Sequence, residues 1–124
     1  MRIDPAVIRP SQTALVVVDM VRDFTDPDGL VFYPMNRQIL PAVVRLVDLC
    51  HQTGTLVIFM QHRYRSGKYD RNLETMRPNC IEGSGGEALD PALPVGRERD
   101  YIIQKRRRSF GEMMLLFAAT CSTV

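Results

Sequence analysis

Two side chains of opposite charge end apolar runs, and they are the first candidates for chemistry. Asp19 follows the unbroken run Ala14-Leu-Val-Val-Val, and Lys105 follows Tyr101-Ile-Ile-Gln. A carboxylate can take a proton and return it. A neighbouring ammonium keeps that carboxylate ionised and stabilises negative charge as it develops on a reacting atom. Read from the residues alone, each position also has a plainer role. Asp19 could cap the turn after its strand, and Lys105-Arg106-Arg107-Arg108 could be a solvated basic loop. Three cysteines, Cys50, Cys80 and Cys121, are the thiols available. A thiol is mostly protonated at neutral pH and needs a base and nearby positive charge to attack. The two histidines, His51 and His62, and the cysteines stand at no metal-ligand spacing, so no metal or cofactor is expected.

The elements that must position these groups follow from hydrophobic patterning. A Val/Leu run without alternation suits a strand covered on both faces, as in a parallel sheet, and reactive groups there collect at the carboxyl ends of strands. The first such strand runs from Ala14 to Asp19 or Met20, after an irregular lead-in containing Pro5 and Pro10. Residues 21–35 read as a loop, with the turn signal Asp26-Pro27-Asp28-Gly29. Phe24, Leu30, Val31, Phe32 and Tyr33 make that loop apolar enough to pack down over a pocket.

A helix is predicted over residues 36–52, with Asn36 as N-cap, Pro41 near the first turn and Gly54 as the C-terminal stop. Ile39 or Leu40, Val43, Val44, Leu46, Val47 and Cys50 form its apolar stripe, which puts Cys50 in the core. His51, at the helix end, is expected to face solvent, where it suits the dipole. Residues 55–61 give a second buried strand and complete a βαβ unit with parallel strands. His62, just beyond, could hydrogen-bond a substrate or only pack there.

A long, mostly irregular excursion spans 61–99, and loops of that length in compact domains are usually functional or disordered. Within it, Gly83, Gly85 and Gly86 follow Cys80 and could bring backbone amides close to a ligand. The stretch is neither a Walker loop nor a dinucleotide fingerprint, and Ser66 and Ser84 lack a nucleophile elbow. A short helical turn is expected at 87–89, stopped by Pro91. The third strand is Tyr101 to Lys105, and an apolar helix is expected over 111–119.

At 124 residues the chain is read as one domain, 1–124. Sixteen basic against fourteen acidic side chains leave a net charge of +2, which argues against a dedicated nucleic-acid binder. No signal peptide or membrane-length apolar run is present, and the sparse, odd cysteine set suits a reducing cytoplasm.

Three stretches then resemble the isochorismatase-like cysteine hydrolases. The first is Ala14-Leu-Val-Val-Val-Asp19-Met20 with Asp23-Phe24. The second is Cys80-x-x-Gly83-x-x-Gly86 with Leu89, Pro91 and Leu93. The third is Ile103-x-Lys105-x-Arg107-x-Ser109-x-Phe110. The resemblance implies a three-layer, Rossmann-like α/β fold around a parallel sheet, and an Asp, Lys, Cys triad in which Asp19 is the acid-base residue and Lys105 the supporting cation. It implies substrates such as small amides, carbamoyl or ureido compounds, or isochorismate, and commonly self-association. The nicotinamidase branch adds an Asp-x-His…His metal cluster, for which Gln61-His62-Arg63-Tyr64 offers one histidine and no second.

The chain departs from the family at the third triad member. A strand-to-strand crossover takes on the order of 30 residues, whereas Cys121 lies 16 beyond Lys105. Arg108 also stands where the family has Tyr. The expectation is an incomplete fold of about three strands, truncated or shifted near Phe110, in which the third strand is an open edge. The leading reading is a hydrolase-derived chain acting on a small molecule, with activity in doubt. The alternatives are a non-catalytic binding or interaction module and, weakest, a nucleic-acid binder using Arg106, Arg107 and Arg108.

Overall fold

Apolar runs that alternate too little for a half-exposed sheet become three parallel strands. The computed structural model describes residue 4, residue 6 and residues 8–106. Cys121, residues 107–110 of the third motif and the helix foreseen over 111–119 lie outside the described residues. Strand β1 is Ala14–Val18, β2 is Leu56–His62 and β3 is Asp100–Lys105. Their order is β1-β2-β3, with both pairings parallel. The α/β class and the parallel sheet are as expected, and among the described residues β3 pairs on one side only. The register sets Val18 opposite Met60 and His62 opposite Lys105, so the candidate charges lie at one end of the sheet.

Helix α2, Pro34–Thr53, joins β1 to β2 and covers one sheet face. It packs Leu40 and Val47, flanked by Val43, Val44 and Cys50, on Val17, Val57 and Phe59. That is a stripe at helical spacing laid on alternate residues of two neighbouring strands. Gly54 closes the helix at φ 72°, donating its N–H to the Cys50 carbonyl.

Four local expectations change. The helix begins at Pro34, with Tyr33 in the capping position, because proline is already set for a first helical residue. Asn36 therefore lies inside the first turn, and Pro41 is within the helix. Leu46 faces outward, half exposed, because the stripe is narrower than the sequence suggested. The loop over 21–35 contains a one-turn helix, α1, Arg22–Thr25. His51 is not solvated, because Asp100 at the start of β3 meets its Nε2 at 2.9 Å.

The long excursion is held by single bridges rather than by regular structure. Leu89 pairs antiparallel with Val21, and Tyr64 pairs parallel with Ile81. Residues 85–88 form a turn that leads straight into the Leu89 bridge, so no helix forms at 87–89. A 3₁₀ turn, Arg71–Glu74, is the excursion's regular piece among the described residues.

Candidate functional site

At the carboxyl end of β1 the chain turns sharply. Asp19 adopts φ 59°, a left-handed conformation that aspartate tolerates better than most residues. Its N–H still donates to the Met60 carbonyl at 3.0 Å, so the turn begins while the ladder is intact. The carboxylate faces the end of β3. Lys105 Nζ lies 3.0 Å from Asp19 Oδ1 and 3.1 Å from Oδ2. Lys105 is 2% exposed, whereas about a third of the Asp19 side chain reaches solvent.

His62 completes a three-residue cluster. As the register partner of Lys105 it lies beside it, and the ammonium donates to His62 Nδ1 at 3.2 Å. An accepting Nδ1 puts the proton of a neutral imidazole on Nε2. The ring also has two aromatic neighbours, Tyr64 edge-on at 4.6 Å and Phe24 tilted at 6.0 Å.

These groups form part of the wall of a cavity of about 530 Å³. Phe24, Tyr33 and Tyr64 give it flat apolar surface, Met35 and Met76 give adaptable surface, and Asn36 and Asn79 give carboxamides. The apolar loop after β1 does pack over a pocket, since Phe24 and Tyr33 both line it. The arrangement suits a small, flat, largely uncharged molecule held beside an ion pair.

The glycine loop serves a different purpose from the one foreseen. Asp23 is buried, and its Oδ2 accepts from the Cys80 N–H at 2.7 Å while Oδ1 accepts from the Leu30 N–H at 3.2 Å. The Asp23 N–H donates to the Gly86 carbonyl. A Cβ on Gly86 would overlap the Asp23 carboxylate, so glycine is required there to let the loop close on a buried charge. The loop is thus locked to the chain after β1, and its glycines do not line the cavity that holds Asp19.

Neither described cysteine is placed for attack. Cys50, on α2, packs against the core, and burial raises its pKa. Cys80 is fully buried, with φ 51° and its N–H committed to Asp23. Burial, then the Asp23, Asp19 and Glu87 carboxylates, push its thiol from 9.0 up to about 12, against a lowering pull from Lys105. It stays protonated at neutral pH. Cys121 lies outside the described residues.

A zinc-type site does not fit the cavity. Such an ion needs three or four clustered ligands, and among the described residues no three His, Cys, Asp or Glu side chains are grouped to hold one. The Lys105 ammonium on His62 Nδ1 would also repel a dication.

Comparison with known proteins places this geometry. A family model described as the isochorismatase domain matches residues 13–112. The chain belongs to the isochorismatase family. A plant relative from Arabidopsis thaliana, named "probable inactive nicotinamidase", is 33% identical over an alignment of 105 residues that covers 78% of this chain and 53% of that protein. A solved cysteine hydrolase from Pseudomonas syringae pv. phaseolicola superposes with a TM-score of 0.75 at 22% identity, covering 90% of this chain and 56% of its own. The nicotinamidase/pyrazinamidase of Bacillus subtilis gives 0.74 at 21%, covering 86% and 64%. The chain therefore spans about half the length of the curated relative and under two thirds of either structure. The isochorismatase-family hydrolase fold is its architecture, with a parallel sheet of three strands among the described residues. No described helix is long and apolar enough to cross a membrane.

Sequence reasoning had singled out Asp19 and Lys105, and the fold brings them into contact. It had weighed His62 without pairing it to Lys105. It missed Asn79, for which a lone asparagine before Cys80 gives no signal.

Proposed function

We propose that the cleft binds a small amide or carbamoyl-type compound for hydrolysis through a thiol, with Asp19 moving the proton and Lys105 holding the charge. The contact of a partly exposed carboxylate with a buried ammonium, in the wall of a cavity that also presents aromatic side chains and carboxamides, is the observation that carries the reading. In this chemistry Asp19 takes the thiol proton as sulfur attacks the carbonyl carbon. The tetrahedral adduct collapses, the amine leaves with the proton that Asp19 returns, and water then hydrolyses the thioester with Asp19 as base. Lys105 holds the Asp19 carboxylate in place before attack and offsets charge during it. The nicotinamidase names among the relatives support an amide as the class of substrate.

A second reading, binding without turnover, has its own support. Among the described residues no cysteine lines the cavity, and the curated plant relative carries the word inactive in its name. One experiment separates the two. Ammonia release is measured over a panel of small amides and carbamoyl compounds for the wild-type chain, Asp19→Asn and Cys121→Ser. Hydrolysis predicts turnover that falls at least about a hundredfold in Asp19→Asn. Turnover that survives Asp19→Asn sinks the mechanism. Ligand binding with no turnover in any of the three selects the second reading.

A further inference from the structure

Asn79 is fully buried in the wall of the cavity that holds Asp19 and Lys105. Its Nδ2 donates to the Arg77 carbonyl at 2.7 Å, which fixes which end of the carboxamide is which. Its Oδ1 is shielded from solvent, and among the described residues no group donates to it. A buried acceptor left in that state is unfavourable, and native proteins keep few of them. The backbone that follows is tied down, while the side chain keeps its own rotations. The next residue, Cys80, has its N–H on Asp23 Oδ2 at 2.7 Å and its carbonyl on the Tyr64 N–H at 2.8 Å. Asn79 is thus an unsatisfied acceptor on a clamped segment, in the wall of a ligand-sized cavity.

We propose that Asn79 determines specificity. Its side-chain carbonyl accepts a hydrogen bond from an N–H or O–H of the bound molecule, reached by a slight outward movement of the side chain. This rests on the reading of the cleft as a small-amide site and narrows it. The preferred ligand is a flat amide with a second donor besides its carboxamide, such as a hydroxyl or amino group on a ring or a ureido N–H. A ring bearing only acceptors at that point is disfavoured, because two acceptors would face each other. A site built around a buried polar group discriminates against a ligand that cannot pair with it.

The test uses the full chain and benzamide, its 3- and 4-hydroxy derivatives, and the matching methoxy derivatives, which keep the oxygen and lose the donor. Dissociation constants are measured by NMR titration for the wild type and for Asn79→Leu. One hydroxybenzamide is expected to bind roughly tenfold more tightly than its methoxy counterpart, the worth of one net hydrogen bond. In Asn79→Leu that ratio falls close to one. If leucine disrupts the loop, Asn79→Ala makes the same comparison. Equal binding of the hydroxy and methoxy pair to the wild type, or a preference that persists without Asn79, overturns the proposal. Amides that bind with no donor preference sink this inference alone, whereas a panel in which nothing binds sinks the amide reading of the cleft with it.

Discussion

Lys105 and His62 face each other as register partners on adjacent parallel strands, and the ammonium of one donates to Nδ1 of the other at 3.2 Å. Lys105 also holds Asp19 at 3.0 Å while being almost wholly buried. A buried ammonium needs both partners, and removing one side of such a pair strands the rest. Lys105→Met should destabilise the chain by about 1 to 2 kcal/mol, because it leaves His62 Nδ1 without this donor and the partly solvated Asp19 without its counter-charge. Asp19→Asn should cost more, about 3 kcal/mol, because it leaves the buried Lys105 ammonium without its counter-charge. Urea denaturation of both variants and of the double variant checks this. A coupling energy below about 0.5 kcal/mol would mean the contact does not act as a unit.

The close fit of Gly86 to the Asp23 carboxylate sets a second expectation. Asp23 cannot swing away from an added methyl without giving up the Cys80 and Leu30 N–H groups. Gly86→Ala should lose about 3 kcal/mol, from overpacking together with a weakened charged hydrogen bond. Asp23→Asn should lose about 1 to 2 kcal/mol by weakening the same bonds without the clash. A Gly86→Ala variant as stable as the wild type would show that the loop can close without this contact.

The parts of this architecture that were legible in the sequence are those fixed by local pattern. Apolar runs without alternation marked strands buried on both faces, and parallel strands carry their terminal charges to one end, so Asp19 and Lys105 could be paired before any geometry was known. The parts that were not legible depend on long-range contacts. Arg22–Thr25 is too short to hold a helix alone. It forms because Arg22 and Asp23 donate to the Ala88 and Gly86 carbonyls far along the chain. Asn36 looked like a cap because its type is right, but Pro34 two residues earlier starts the helix. The orphan oxygen of Asn79 exists only through the fold around it.

His51 and Asp100 make the same point at the opposite end of the strands. The pair joins the last turn of α2 to the first residue of β3, 49 residues apart, and both side chains are largely buried. Asp100 also accepts from the Gly96 and Arg97 N–H groups, so it organises the turn before β3 as well as holding the helix. His51→Ala should cost about 1 to 2 kcal/mol, and Asp100→Ala more, because it strands the turn and the imidazole together. Ligand affinity at the cleft should stay unchanged in His51→Ala. Thermal unfolding and NMR titration measure the two effects separately, and a stability equal to wild type in both variants would remove the pair as a structural tie.

Cys80 links burial to the alkaline limit of stability. Its thiol titrates at about 12 in the folded chain against 9.0 ordinarily, chiefly because burial disfavours the thiolate. Below pH 9 the folded and unfolded chains both keep this proton, and the group adds no pH dependence. Between about 9 and 12 the unfolded chain releases it while the folded chain retains it, so stability falls as pH rises. Tyrosines and lysines titrate over the same range in any variant, and the contribution of Cys80 is therefore read as a difference. Unfolding free energies at pH 8, 9, 10 and 10.5 should decline less steeply for Cys80→Ala than for the wild type, even though alanine lowers stability throughout by leaving a cavity. In the native state at pH 8 the thiol should also resist iodoacetamide and react once urea unfolds the chain. Parallel pH slopes, or rapid native alkylation at this position, would show that Cys80 is neither as buried nor as firmly protonated as its place against Asp23 requires.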